Sequence, residues 1–417
     1  MKKITLLVSI LIVNCVLPIG NCFSQNTWIQ KSNFTGAERQ GAVSFSIGTK
    51  GYVGAGWQWN TYLNDFWEWN QSTNVWTQKA NLPAKGRRGA TGFSIGTKGY
   101  IGTGETNYTQ SGYELANDFW EWDQMTNTWI QKSDFLGTPR SGAIGFSIGT
   151  KGYIGTGKHM DDFWEWDQLT DTWSQKADFA GGGRDVAVGF SIGTKGYIGT
   201  GDGNITYNGT TCMQDFWEWD QTSDTWTRKA DFIGARAGAV GFSMNSKGYL
   251  GLGMNSTYVD MQDFLEWDPS TNVWIQRANF GGKPREVAIG FSIGMKGYIG
   301  VGMNDSNFVV TYQSDFWEYA PATGGTAVIN VVENNATLEV FPNPASNAVT
   351  INFSASAKGK LTLNITNELG AAVYSENKKD FTGDYVNTID LSSQPKGVYF
   401  VEMVLGSERR TKKIILE

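Results

Sequence analysis

The chain reads as short alternations of apolar and polar residues punctuated by glycine turns, and one phrase of this alternation returns six times. The phrase G-F-S-I-G-x-K-G-Y-I-G-x-G leads into D-F-W-E-W-D-Q-x-T-x-x-W, then a turn and an arginine. A tryptophan of the second block falls at Trp67, Trp120, Trp164, Trp217 and Trp317, with Leu265 in the fifth copy. Along Asp65-Phe66-Trp67-Glu68-Trp69 successive side chains face opposite sides of a strand, and both sides carry large apolar groups. Such a strand belongs to a sheet covered on both faces. A unit this short cannot bury its own apolar faces, so the copies must stack. In the second copy the pattern predicts strands over residues 90–95, 99–102, 118–123 and 129–133, with turn residues Thr97-Lys98-Gly99 and Gln124-Met125-Thr126-Asn127. Four antiparallel strands repeated six times predict an all-β, six-bladed β-propeller over residues 25–321.

The phase of the repeat predicts how the ring closes. Residues 28–34 match the fourth strand of a copy, and the last copy stops after its third strand at residues 315–319. The N-terminal strand is therefore expected to complete the sixth blade and remove an open sheet edge. Beyond Ala322 the tryptophan pattern ends, and residues 322–336 read as a linker. Residues 337–417 show new alternating strands at 349–353, 360–365, 372–375, 386–391, 397–404 and 411–416, the pattern of a small antiparallel Ig-like β-sandwich.

Composition narrows the partners. The formal charge is −6 with no basic cluster, which argues against nucleic acid and anionic membrane surfaces. Residues 1–24 read as a signal peptide: Lys2 and Lys3, an apolar run, then Cys22-Phe23-Ser24 before cleavage at Gln25. No other stretch has the length of a transmembrane span. Of three cysteines two lie in that leader, so Cys212 has no internal partner, and His159 is the only histidine. Neither a metal site nor a cofactor is expected from this inventory.

The sixfold region resembles the kelch repeats of the galactose-oxidase central-domain type. The residues carrying the resemblance are Gly99, Tyr100, Gly102 and Gly104, the D-x-x-E-x-D block, the following Trp, and the Arg before the next inner strand. The usual Gly-Gly doublet is G-x-G here, and a W-E-W-D block replaces a tyrosine-based one. That family has no single activity. The copper-radical chemistry of galactose oxidase needs two histidines, and one is present. The tail is similar to type IX secretion sorting domains of Bacteroidetes, through Phe341-Pro342-Asn343-Pro344, Ile389-Asp390-Leu391-Ser392, Lys396-Gly397-Val398-Tyr399-Phe400 and Thr411-Lys412-Lys413-Ile414-Ile415-Leu416. This resemblance implies Sec export, type IX machinery as a partner, and a secreted or outer-membrane-surface location.

One end of each blade is nearly constant between copies, and the other varies. The variable loops, 57–64, 105–117, 158–161, 202–214, 254–262 and 303–314, carry Trp57, Trp59, Tyr62, Tyr108, Tyr113, His159, Tyr207, Tyr258, Phe308 and Tyr312. Aromatic rings among Asn, Asp and Gln suit sugars, whose C–H faces stack while their hydroxyls hydrogen-bond. The same end receives Arg39, Arg87, Arg140, Arg184, Arg236 and Arg285, each six residues before an inner-strand Phe. Six guanidinium groups suit a carboxylate or sulfate. Repetition in every blade is more economically a scaffold role, with Glu68, Glu121, Glu165, Glu218, Glu266 and Glu318 as expected partners. The reading is a binding module for glycan or protein. The alternatives are a carbohydrate-active enzyme, either a sialic-acid mutarotase or epimerase type or a lyase, and a structural component of a surface complex.

Overall fold

The computed structural model describes residues 26–110, 112–206, 209–306, 309–321, 338–367, 371–405 and 408–417. The expected signal peptide and linker lie outside them. The chain divides into two units between Thr326 and Ala327.

The first unit contains six four-stranded antiparallel sheets. Blade 1 runs Val43–Ile47, Lys50–Gly54, Phe66–Asn70, Val75–Lys79, from the axis outward, and the other blades repeat this order. Each innermost strand touches that of the next blade, and Ile289–Ile293 of the sixth touches Val43–Ile47 of the first, so the ring is closed. The clasp is Thr27–Gln30, which pairs with Phe316–Ala320 as the outer strand of blade 6, with Trp28 opposite Tyr319. This strand is shorter than the sequence suggested. Beyond it the backbone still follows the blade: Lys31 N donates to Phe316 O and Phe34 N to Ser314 O.

Aromatic packing between blades holds the wheel. Trp69 is fully buried, with its ring 4.9 Å from Tyr298 and 5.0 Å from Phe316 of the preceding blade. Trp122, Trp166, Trp219 and Trp267 are equally buried. At about 25 cal/mol per Å² over a buried indole, each stabilises the fold by about 4 kcal/mol. The glycine of each K-G-Y makes room for the adjacent blade: a Cβ on Gly51 would stand 2.2 Å from Phe291 Cζ. An Asn or Asp in the outer turn ties blades together by accepting two bonds. Asp171, for example, accepts from Trp166 Nε1 (3.0 Å) and from Ser133 N of the preceding blade (3.1 Å).

At the axis, Ala42, Val43, Ser44 and their counterparts line a narrow channel of about 180 Å³ with no ionisable side chain. Its variable-end mouth is ringed by backbone. Gly89 N donates to Gly41 O, Gly142 N to Gly89 O, Val186 N to Gly142 O, Gly238 N to Val186 O, Val287 N to Gly238 O and Gly41 N to Val287 O, at 2.8–3.1 Å. All six residues have φ between 45° and 68°, the left-handed region that lets each carbonyl meet the next amide.

The second unit is sandwich-like. Segments read as four strands fuse into two long ones, Ala348–Asn367 and Ala372–Asp390, which pair throughout with register shifts near Gly359. One half of the long hairpin adds Glu339–Phe341, and the other adds Gly397–Leu405 and then Glu408–Leu416. Both halves contribute to one core, including Val349, Ile351, Leu363, Val401 and Ile414.

Candidate functional site

The six arginines precede the innermost strands and turn inward, with exposures of 0–1%. Their partners are aspartates rather than the expected glutamates. Arg39, Arg87, Arg140, Arg184, Arg236 and Arg285 bind Asp65, Asp118, Asp162, Asp215, Asp263 and Asp315 through paired N–H···O bonds of 2.5–2.9 Å. The reason is reach. Arginine and aspartate meet where the third strand begins, whereas the glutamate sits three residues along that strand, about 10 Å away. Each Nη1 also donates to the carbonyl of the middle residue of G-x-G, such as Thr103 (2.9 Å), whose φ of 59° needs such support. The Trp67, Trp120, Trp164, Trp217 and Trp317 indoles donate to the same aspartates at 2.7 Å. Burial pushes Asp65, Asp118, Asp162, Asp215 and Asp315 upward, but the arginine bonds and charge and the indole outweigh it and hold them below the usual carboxylate range. The glutamates instead accept tyrosine hydroxyls; Tyr52 donates to Glu68 at 2.8 Å. The arginines are thus engaged within the scaffold and present no free guanidinium to a ligand.

Four of the six variable loops contain two-stranded hairpins: Trp57–Gln58 with Thr61–Tyr62, Glu105–Thr109 with Gly112–Leu115, Asp202–Thr206 with Gly209–Cys212, and Met303–Ser306 with Val309–Tyr312. Pairing sets Trp57 beside Tyr62 and Tyr108 beside Tyr113. Between the hairpins of blades 1 and 2 lies a pocket of about 480 Å³ lined by Trp57, Asn60, Tyr62, Arg88, Asn107, Tyr108 and Tyr113. Tyr108 is 65% exposed, with its ring 5.0 Å from that of Tyr113. Arg88 lies over Trp57 at 5.0 Å and bonds Glu105 at 3.1 and 3.2 Å. Tyr62 donates its hydroxyl to Glu105, and burial, then this bond, push its pKa up to about 12. The neutral phenol is therefore the form at physiological pH.

Of the other candidates, Tyr312 is buried at 7% exposure and backs Trp57 and Trp59 edge-on, at 6.0 and 4.8 Å. His159 and Tyr258 are exposed on blades 3 and 5 and do not line this pocket. Tyr207 and Phe308 lie outside the described residues. The Cys212 thiol is buried and donates to Met254 O at 3.5 Å.

Asn60, Arg88, Glu105 and Asn107 escaped the sequence reading. A signal existed: the residue after each constant arginine changes from copy to copy, as Gln40, Arg88, Ser141, Asp185, Ala237 and Glu286. Glu286 adds a second feature. The residue is 8% exposed, and burial, then the charges of Asp260 and Asp305, push its pKa up to about 7. Asp185 is likewise raised by burial. Among the described residues no group of three or more His, Cys, Asp and Glu side chains forms a metal-ligand set.

Residues 339–417 match the family described as the secretion system C-terminal sorting domain. Among solved structures, one titled "Structure of YjhT" is similar with a TM-score of 0.55 and 15% identity, covering 67% of this chain and 99% of that one. Identity so low speaks for the fold alone. No curated protein matches the chain. The tail makes this an exported protein of the type IX secretion route, secreted or on the cell surface, and no helix among the described residues is long and apolar enough to cross a membrane.

Proposed function

We propose that the exported propeller is a kelch-type binding module that takes glycan through its variable-hairpin end. The observation carrying this reading is the pocket between blades 1 and 2, where Trp57, Tyr62, Tyr108 and Tyr113 surround a space of about 480 Å³ beside two side-chain amides. That volume lies in the ~300–1,000 Å³ range of small-molecule pockets, and rings bordered by amides suit the two-sided chemistry of a pyranose. The axial channel, about 180 Å³ and lined by small side chains, is the smaller space. A glycan array probed with the leaderless protein tests the reading. Selective binding that Trp57→Ala abolishes, in a variant that still melts cooperatively, is the expected result; silence on every glycan would sink it.

A second reading, a carbohydrate-active enzyme, has one specific observation in its favour. Glu286, beside the axial mouth and with a pKa near 7, has the proton affinity that general acid–base work requires. It predicts that sugar turnover, assayed by loss of anomeric or product signal, disappears in Glu286→Gln while binding persists.

A further inference from the structure

We propose that the pocket between blades 1 and 2 selects uncharged pyranose oligosaccharides over acidic ones, with Glu105 as the residue that sets this preference. The inference rests on the glycan-binding reading and deepens it. Among the described residues Arg88 is the only charged side chain in the lining, and alone it would make this an anion site. It is not alone. Glu105, 5% exposed, holds its guanidinium by two side-chain bonds, while reciprocal backbone bonds of 2.9 Å join the two residues. The Trp57 ring also packs against this guanidinium, its centre 5.0 Å from Arg88 Cζ. Of the neighbouring cations, Lys85 pairs with Glu114, and Lys158 rests its ammonium over the Tyr113 ring, 4.5 Å from its centre, while its backbone N–H donates to Asp185 at 2.8 Å. What remains for a ligand is ring faces, phenol hydroxyls and the amides of Asn60 and Asn107.

A carboxylate or sulfate entering this space would meet Glu105 behind Arg88 and lose its hydration without gaining a free cation, a loss that electrostatic mismatch makes costly. A neutral pyranose pays no such cost. The net charge of −6 acts in the same direction on approach. Glu105→Gln keeps the side-chain shape and an acceptor for Tyr62 but removes the charge, leaving Arg88 free to receive an anion.

The test uses the whole secreted chain and pairs of oligosaccharides that differ only in a carboxylate or sulfate, titrated by calorimetry. Wild type is expected to favour the neutral member of each pair by roughly 10-fold. Its neutral-ligand affinity should stay flat as salt rises. Glu105→Gln is expected to erase or reverse that preference, and thermal melting of the variant verifies that it folds. Should it fail to fold, the wild-type preference and its salt response still decide the matter. A wild-type preference for the acidic members, or affinity falling steeply with salt, overturns the inference and leaves glycan binding standing. No binding to any oligosaccharide overturns both.

Discussion

The two ends of the propeller are built from the same six repeats and obey different rules. At the constant end the turns largely repeat their chemistry: Asp123 Oδ1 caps the backbone of Met125 (2.7 Å), and Asp167 does the same for Leu169 (2.8 Å). At the other end each blade has its own hairpin or loop, and one changing residue follows each fixed arginine. The difference teaches where this fold stores stability and where it has freedom. The arginine–aspartate pairs lie directly beneath the variable hairpins and fix the G-x-G backbone from which they spring. Sequence above that layer is released from any duty to fold.

If this division is right, damage below the layer unfolds the protein, and damage above it costs only binding. The largest expected effect is Arg140→Met, which strands the Asp162 carboxylate and the Thr156 carbonyl; breaking a buried pair costs roughly 3–5 kcal/mol, and circular dichroism should show a chain largely unfolded or melting far lower. The same pairs predict acid sensitivity. Five of the aspartates have depressed folded pKa values, so their contribution is whole above the unfolded value of about 3.9 and is lost as pH falls through the folded values. Denaturant midpoints should therefore hold down to about pH 4 and drop below it.

Next is Trp28→Ala, which removes the clasp's ring from Phe264 and Phe280, each 5.0 Å away, and its bond to Ala278 O. A loss of about 3 kcal/mol is expected, with aggregation visible by light scattering as blade 6 loses its outer strand. A propeller indifferent to this change would not be closed by that strand.

Smaller, and of opposite sign, is Glu286→Gln. A carboxyl whose folded pKa is raised to about 7 keeps a proton that the unfolded chain has released above about 4.5, so stability declines as pH climbs across that window. The variant should melt like wild type near pH 5 and higher than wild type above pH 7. Equal melting at both would mean that this carboxyl titrates normally. The smallest stability effect belongs to Trp57→Ala, about 1 kcal/mol below wild type, even as glycan affinity falls by at least about 10-fold. A large fall in melting temperature would place Trp57 in the scaffold instead.

Much of this was legible in the sequence because it is periodic. Trp67, Trp69 and Phe66 alternate as a doubly covered strand must, and the offset between residues 28–34 and the truncated sixth copy revealed the clasp. The arginine partner was misread because D-F-W-E offers two carboxylates three residues apart, and spacing alone does not say which end of the strand the guanidinium meets. The hairpins were hidden for another reason: they lack the repeat's signature, and Glu105 to Thr109 is polar enough to read as loop. Arg88 and Glu105 are 17 residues apart and meet through an isolated backbone bridge that no local pattern announces.

The circle of amide bonds at the axis has a consequence for how such a chain can change over generations. A cycle in which every member gives one bond and takes one closes only when the angular steps complete a full turn, about 60° for each of six copies. Duplicating or losing a copy, the easiest accident for a repetitive gene, would leave that circle with a surplus or a gap. Novelty is thereby steered away from the number of units and into the lengths and side chains of the outward-facing ribbons.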